Sequence, residues 1–516
     1  MSKRSESEAR RRSRIVRLIS FLVVNSIFTA VLVVVAFFYG WSSVSRNLPD
    51  LRGWHLDAPP SEFRARDESR RFTFADLLAR EDRAFAELAA FIREDWTDEQ
   101  PSGLSRYRPD SVSNPDAILP RNWNRTFVFE HDAPIGGALL LHGLSDSPYS
   151  LRAIGERLHK EGYTVIGLRI PGHGTCPAAL AEARWQDWAA AVRIAMRGLR
   201  DKVPSSSPLV LVGFSNGGAL AVDYAISAMD DPALPQPAAI TLFAPMIGIT
   251  ALAEITALYP VAARISGQEK IAWSRIQPEI EPFRYSSWPT NGSLQAWRMT
   301  QRVERGLARL QREARMDRFP PVYTVQSVVD ATVQVPRLIE RLFDRLPPGK
   351  SELLLFDVNR KAWLEELISF DFEQGVRPRL SRPDLPFTLS FVTNVDENSL
   401  EVELRTRRAG ELTREPLGLA WPDEIFSMSH ASPPIPADDP ILGTAAATEG
   451  VGLPLGSLSL RGESGVLAIA DASLVRLRHN PFYEFTEDRV IEWLRRTLQP
   501  AAPAPPNPAD PPPPAN

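Results

Sequence analysis

The sequence predicts an α/β protein: a mostly parallel sheet with helices on both faces. Three observations carry that expectation. From Trp123 onward, short apolar runs bounded by glycine or proline alternate with amphipathic helical stretches, the rhythm of strands joined by crossover helices. Several of these runs are apolar throughout, as expected where both faces of a sheet are covered. One of them, Leu209–Phe214, passes through a glycine-flanked serine straight into an alanine-rich helical pattern.

Taken in order, strands are expected at Gly137–Gly143, Thr164–Ile170, Leu209–Phe214, Ala238–Pro245, Pro321–Asp330 and Glu352–Phe356. Two segments are too long for plain crossovers. The first, Ile247–Met316, is rich in Trp, Pro and Arg. The second, Asp357–Ile425, contains an antiparallel pair, FTLSFVTNV and LEVELRTRR, separated by Asp396, Glu397, Asn398 and Ser399. Ahead of the main domain (121–498), residues 42–120 read as a charged stalk packed on that domain. It holds one amphipathic helix, FADLLAREDRAFAELAAFIRED, with Leu77, Leu78, Phe85, Leu88 and Phe91 at helical spacing. Residues 499–516 are a proline-rich tail, expected to be extended and disordered.

The N-terminus predicts a membrane anchor. Residues 18–41, LISFLVVNSIFTAVLVVVAFFYGW, are mostly apolar, and as a helix at about 1.5 Å per residue they would reach roughly 36 Å. The basic segment 1–17 carries Lys3, Arg4, Arg10, Arg11, Arg12, Arg14 and Arg17, which places the N-terminus in the cytoplasm and the remaining chain on the extracytoplasmic side, periplasmic or extracellular. The apolar run is longer than the core of a cleaved signal peptide, and no clean small-residue cleavage site follows it.

Composition narrows the rest. The chain has 516 residues, 44% of them apolar, and a formal net charge of -4, so no global field points to nucleic acid. Cys176 is the single cysteine, which excludes an internal disulfide and a multi-cysteine metal site. The histidines are scattered without ligand spacing, so neither a metal nor a cofactor is expected.

Gly213, Phe214, Ser215, Asn216 and Gly217 spell G-x-S-x-G between a strand and a helix, the context of a nucleophile elbow. So sharp a turn strains the serine and brings chain so close that side chains at the flanking positions would collide, hence glycine on both sides. The hydroxyl is pushed out over the carboxyl edge of the sheet, where amides from a helix N-terminus stabilise developing negative charge.

Upstream, GALLLHGLSDSPYSLR puts His142 and Gly143 at a strand end, and with it the chain resembles the α/β-hydrolase family. The resemblance implies an oxyanion hole made by the backbone N–H groups of Leu144 and Asn216, with His142 steadying its loop. The stretch IPGHGTC, Ile170 to Cys176, is similar to a loop of the monoacylglycerol-lipase and serine-aminopeptidase branch; His173 and Cys176 read there as packing residues. In this family a lid follows the sixth strand, which corresponds to 247–316. Its Trp273, Trp288, Trp297, Phe283, Tyr259 and Tyr285 either line an acyl or alcohol pocket or pack a small helical cap.

The family order of nucleophile, acid and base implies a carboxylate and then a histidine after Ser215. Asp330, in a D-x-x-V turn at a strand end, is the expected acid, with Asp357 as the alternative. His430 is the expected base, at the end of a strand-like run followed by prolines, with His479 as the alternative. About 100 residues separate Asp330 from His430 where the family has a few tens, so an insertion (357–425) precedes the histidine. The function expected is that of a membrane-anchored serine hydrolase cleaving carboxylic esters, lipid or monoacylglycerol esters among them because the site is tethered near a bilayer. Two alternatives stay open: a serine-aminopeptidase-like peptidase, which would want an acidic patch drawn from Glu254, Glu269, Glu279 and Glu281, and a catalytically silent anchored scaffold.

Overall fold

The computed structural model describes residues 17, 20–29, 31–32, 35–36, 39–40, 43, 46–96, 103–248, 268–362, 382, 384–446, 453, 455–456 and 476–499. The sheet holds ten strands in the order β1-β3-β2-β4-β5-β8-β9-β10-β11-β12. These are β1 (Phe127–Phe129), β2 (Gly136–Leu141), β3 (Tyr163–Leu168), β4 (Leu209–Phe214), β5 (Ala239–Phe243), β8 (Val322–Ser327), β9 (Glu352–Phe356), β10 (Thr388–Asn394), β11 (Glu401–Arg408) and β12 (Glu411–Ala420). The short strands β6 (Trp273–Arg275) and β7 (Trp288–Pro289) form a separate ribbon. Neighbours from β3 to β10 are parallel, whereas β1 at one edge and β11 and β12 at the other are antiparallel.

The central strands are apolar throughout because successive side chains enter two different cores. Leu139 and Leu141 of β2 and Leu209 and Leu211 of β4 face one core; Ala138, Leu140, Val210 and Val212 face the other. The first core is closed by α3 (Trp185–Asp201), α4 (Asn216–Asp230) and α5 (Thr290–Arg312), which follow α1 (Phe74–Glu94) and α2 (Arg152–Lys160) in the chain. Helices α2 and α6 (Tyr483–Leu498) close the second through Ile154, Leu158, Val490, Ile491 and Leu494.

Helix α1 begins where Thr73 Oγ1 accepts the Asp76 N–H at 3.2 Å and the Asp76 carboxylate accepts the Thr73 N–H at 2.8 Å. It lies against α3: a Cβ at Gly198 would come within 2.4 Å of the Phe74 Cβ. Buried Arg169, at the end of β3, joins Glu62 at 2.9 Å and Glu81 of α1 at 3.2 Å, so the segment ahead of the sheet is tied to it by charge as well as by apolar contact.

Several expectations are corrected. The membrane-spanning helix at 18–41, and with it the cytoplasmic N-terminus and extracytoplasmic catalytic domain, is overturned: among the described residues no helix is long and apolar enough to cross a membrane. Within the stretch 247–316 expected to be a lid, α5 is a buried crossover helix whose Ala296, Met299, Val303, Leu307 and Leu310 repeat at helical spacing and pack into the first core. The expected insertion at 357–425 continues the main sheet, with β10 parallel to β9 and β11 and β12 beyond it. The run before His430 forms no strand. Residues 249–267, which include Glu254 and Tyr259, and the tail beyond Gln499 lie outside the described residues.

Candidate active site

Ser215 stands between the last residue of β4 and the first of α4 with φ 51° and ψ -115°, a conformation costing a non-glycine residue about 1–3 kcal/mol. Its neighbours impose it. The Ser215 N–H donates to the Phe243 carbonyl at 3.0 Å, and the Ser215 carbonyl accepts the Met246 N–H at 2.8 Å. A Cβ at Gly217 would sit 1.9 Å from the Leu141 carbonyl oxygen, and one at Gly213 would sit 2.6 Å from that of Gly217. Both positions therefore exclude any side chain.

Asp330 lies in the turn after β8. Its Oδ1 accepts the N–H groups of Thr332 and Val333 at 2.8 and 2.9 Å, leaving Oδ2 to point at His430. His430 lies on a loop after β12, in a tight turn where the Ser429 hydroxyl accepts the Ala431 N–H at 3.2 Å and donates to the Leu477 carbonyl at 2.5 Å. His430 Nδ1 is 2.8 Å from Asp330 Oδ2, and Nε2 is 2.8 Å from Ser215 Oγ. A proton on Nδ1 satisfies the set: that N–H donates to the carboxylate while Nε2 accepts from the serine hydroxyl.

The two expected oxyanion donors stand beside this array. Gly143, next to Leu144, is so close that its added Cβ would lie 3.4 Å from the Ser215 Cβ. Asn216 opens α4, so its N–H is one of the donors a helix leaves unpaired at its start. Among the described residues, neither the Leu144 nor the Asn216 N–H has a backbone acceptor.

The alternatives lie elsewhere. Asp357 follows β9 and is bonded to the Thr393 hydroxyl at 2.7 Å and to Arg360 at 2.9 Å, not to a histidine. His479 holds the Leu442 carbonyl through Nδ1 at 3.3 Å, and burial pushes its pKa down. His142 accepts the Ile170 N–H on Nε2 at 3.0 Å and donates from Nδ1 to the Gly143 carbonyl at 2.9 Å, so both ring nitrogens brace the strand ends. His173 is buried and held at about 4, chiefly by that burial, and burial pushes the Cys176 thiol up.

Ser215 is 4% exposed, yet with His430 it lines a cavity of about 140 Å³. Of the aromatic residues expected there, Phe283 and Trp288 line it. Tyr285 is instead buried with its hydroxyl donating to the Gly172 carbonyl at 3.3 Å, Trp273 packs on His55, and Trp297 lies away from the cavity. Tyr149, stacked on Phe283 with ring centroids 4.2 Å apart, supplies a wall that the sequence reading missed. It missed the charged lining too: Asp146, Arg284, Arg476 and Arg478 beside Glu281. No short motif joins these residues, although Arg476 and Arg478 alternate just ahead of His479. Burial holds Asp146 up at about 6. Burial also raises Glu281, but the Arg478 and Arg284 guanidiniums outweigh it and hold that carboxyl at about 2. Among the described residues no group of three or more His, Cys, Asp or Glu side chains converges to hold a metal ion.

Residues 132–348 match the family described as "Serine aminopeptidase, S33", a span containing Ser215 and Asp330 and ending before His430. A thermostable monoacylglycerol lipase from Bacillus sp. (strain H-257) is 27% identical over 183 residues, covering 35% of this chain and 68% of that protein. A solved structure from work on the metagenome-derived lipolytic enzymes LipS and LipT is 23% identical, with a TM-score of 0.37, covering 50% of this chain and 98% of the other. The monoacylglycerol lipase of Paleococcus ferrophilus is 18% identical, with a TM-score of 0.34, covering 45% and 89%.

Proposed function

The chain is an α/β-hydrolase of the monoacylglycerol-lipase-like branch, a serine hydrolase of lipase or esterase type, and from that premise we propose that it cleaves carboxylic esters through an acyl-enzyme on Ser215. The observation carrying this reading is the continuous set of hydrogen bonds from Asp330 through His430 to the Ser215 hydroxyl.

In the proposed cycle Ser215 Oγ attacks the ester carbonyl as His430 Nε2 takes its proton. Asp330 holds the imidazole in the reactive tautomer and stabilises the imidazolium that forms. The carbonyl oxygen, now an oxyanion, receives the N–H groups of Leu144 and Asn216 at the positive end of α4. His430 returns the proton to the departing alcohol, then takes one from a water that attacks the acyl-serine. Ser215 is regenerated and the carboxylic acid released.

With the membrane tether overturned, proximity to a bilayer no longer argues for a lipid substrate. Support for an apolar acyl or alcohol part comes from Leu144, Phe214, Met246, Phe283 and Trp288 in the cavity wall and from the monoacylglycerol lipase relative. The peptidase alternative would draw a substrate ammonium to an acidic patch, of whose four expected members Glu254 lies outside the described residues. Glu279 is buried and committed to the Ser286 and Ser287 N–H groups at 2.9 and 2.7 Å, and Glu281 is paired with Arg478 at 2.8 Å. Glu269 is exposed and does not line the cavity.

The test is mass-spectrometric mapping of fluorophosphonate adducts, together with initial rates on 4-nitrophenyl esters and aminoacyl 4-nitroanilides. An adduct on Ser215, lost in Ser215→Ala, with esters turned over in preference to anilides, is expected. An unlabelled protein that cleaves neither substrate would establish the silent scaffold instead.

A further inference from the structure

Resting on the proposal that Ser215 cleaves esters, we infer that the substrate carries, besides the scissile ester, an acid oxyanion, carboxylate or phosphate, received by Arg284, Arg476 and Arg478. All three arginines line the cavity that Ser215 and His430 line. Their charge is only partly answered within the protein. Glu281 lies 2.8 Å from Arg478 and 3.8 Å from Arg284, so one carboxylate serves two cations. Asp146, the other carboxylate at the cavity wall, makes no ion pair among the described residues, and Asp330 is engaged with His430. Among the described residues Arg476 has neither an ion pair nor a hydrogen-bond partner.

A half-buried guanidinium with no carboxylate in hydrogen-bond contact is unfavourable, because it has shed water for only a partial counter-charge. Burial holds Arg476 down at about 10; repulsion from Arg284 and Arg478 adds to that effect, while the more distant carboxylates of Asp330 and Glu281 oppose it only in part. An anion entering the cavity would answer the excess charge. The planar fork of arginine matches the paired oxygens of a carboxylate or phosphate, and an anion bridging several forks is held in direction as well as in place. Tyr149, Phe283, Ile435, Ile441 and Leu442 form an apolar wall to the same space. The cavity thus suits a two-part ligand, an apolar chain with an acidic group. A cationic amine would meet repulsion from the same three side chains.

The kinetic test compares 4-nitrophenyl octanoate with 4-nitrophenyl hydrogen suberate, which replaces the terminal methyl by a carboxylate. The full chain is expected to favour the suberate in kcat/KM by about tenfold or more, the worth of one charge-assisted hydrogen bond. Added salt should weaken that preference, Arg476→Lys should keep part of it, and Arg476→Gln should bring the ratio near parity. Equal kcat/KM for the two esters in the wild type, or an undiminished ratio in Arg476→Gln, overturns the proposal. A second arm needs no turnover: octyl phosphate and monomethyl suberate are titrated calorimetrically into Ser215→Ala, with octyl glucoside as the neutral control. The tighter of the two anions identifies the group, and its affinity should fall at least about tenfold when Arg476→Gln is added. Affinity unchanged by that second substitution, or no better than the glucoside's, overturns the proposal. Anion binding without ester cleavage would leave the oxyanion site standing and remove the hydrolase reading; ester cleavage without anion preference or binding would do the reverse.

Discussion

His430 Nε2 lies 2.8 Å from Ser215 Oγ although 215 positions separate the two residues. The other candidate base, His479, spends its Nδ1 on the Leu442 carbonyl. His430→Ala is therefore expected to lower kcat/KM on 4-nitrophenyl esters by at least about 10³-fold and to slow fluorophosphonate labelling of Ser215 comparably. His479→Ala should label within a few-fold of wild type. Normal labelling of the first with loss in the second would transfer the role of base to His479.

Asp330→Asn keeps the shape of the acid but favours the wrong imidazole tautomer, with Nδ1 accepting from the new amide. A fall of about 10⁴-fold in kcat is expected, read from steady-state rates at neutral pH. Asp357→Asn breaks contacts to Thr393 and Arg360 and should appear as a lower melting temperature, with kcat on the folded protein changed far less. The opposite pattern would make Asp357 the acid.

Gly217→Ala places a methyl group 1.9 Å from the Leu141 carbonyl oxygen, where two strands and the start of α4 meet. Nothing flexible can yield there, and destabilisation of about 1–3 kcal/mol or more is expected, measured by urea unfolding monitored by tryptophan fluorescence. A variant as stable as wild type would mean that the corner is looser than this geometry allows.

Asp146 titrates near 6 in the folded protein because it is buried, and near 3.9 in an unfolded chain. Between about pH 4 and 6 the folded state keeps a proton that the unfolded state has lost, so this contribution to stability declines as pH rises, by about 2–3 kcal/mol in total. Asp146→Asn does not titrate. Its melting temperature relative to wild type should rise between pH 4 and pH 8, as followed by calorimetry; a difference independent of pH would show that Asp146 ionises normally.

Local features made parts of this molecule legible. The corner at Ser215 is written in a few consecutive residues, because an apolar strand, two obligatory glycines and a small-residue helix leave the chain little choice. Leu209–Phe214 and Glu352–Phe356 are read to the residue for a related reason: apolar side chains on both faces end where the sheet ends. Beyond such local signals the reading fails. Phe127–Phe129 is too short to show a period, and Glu411–Ala420 is almost wholly exposed and carries a proline, so neither stands out as a strand. His430 and His479 cannot be separated by pattern, since what places one of them near Ser215 is the path of β10, β11 and β12. Arg476 and Arg478 meet Arg284 across nearly two hundred residues, a convergence without a motif. The apolar run 18–41 misled in the other direction: hydropathy alone suggested a span that the described helix does not form.

The outer strands β10–β12 intervene between β9 and the loop bearing His430. The nucleophile corner, by contrast, is completed by β2, β4, β5 and α4 alone. The nucleophile and its proton acceptor are thus held by different parts of one sheet, its interior and its far edge. Displacing the outer hairpin would leave the serine corner standing and carry the disturbance to the proton acceptor, since His430 reaches Ser215 only through the loop that follows β12.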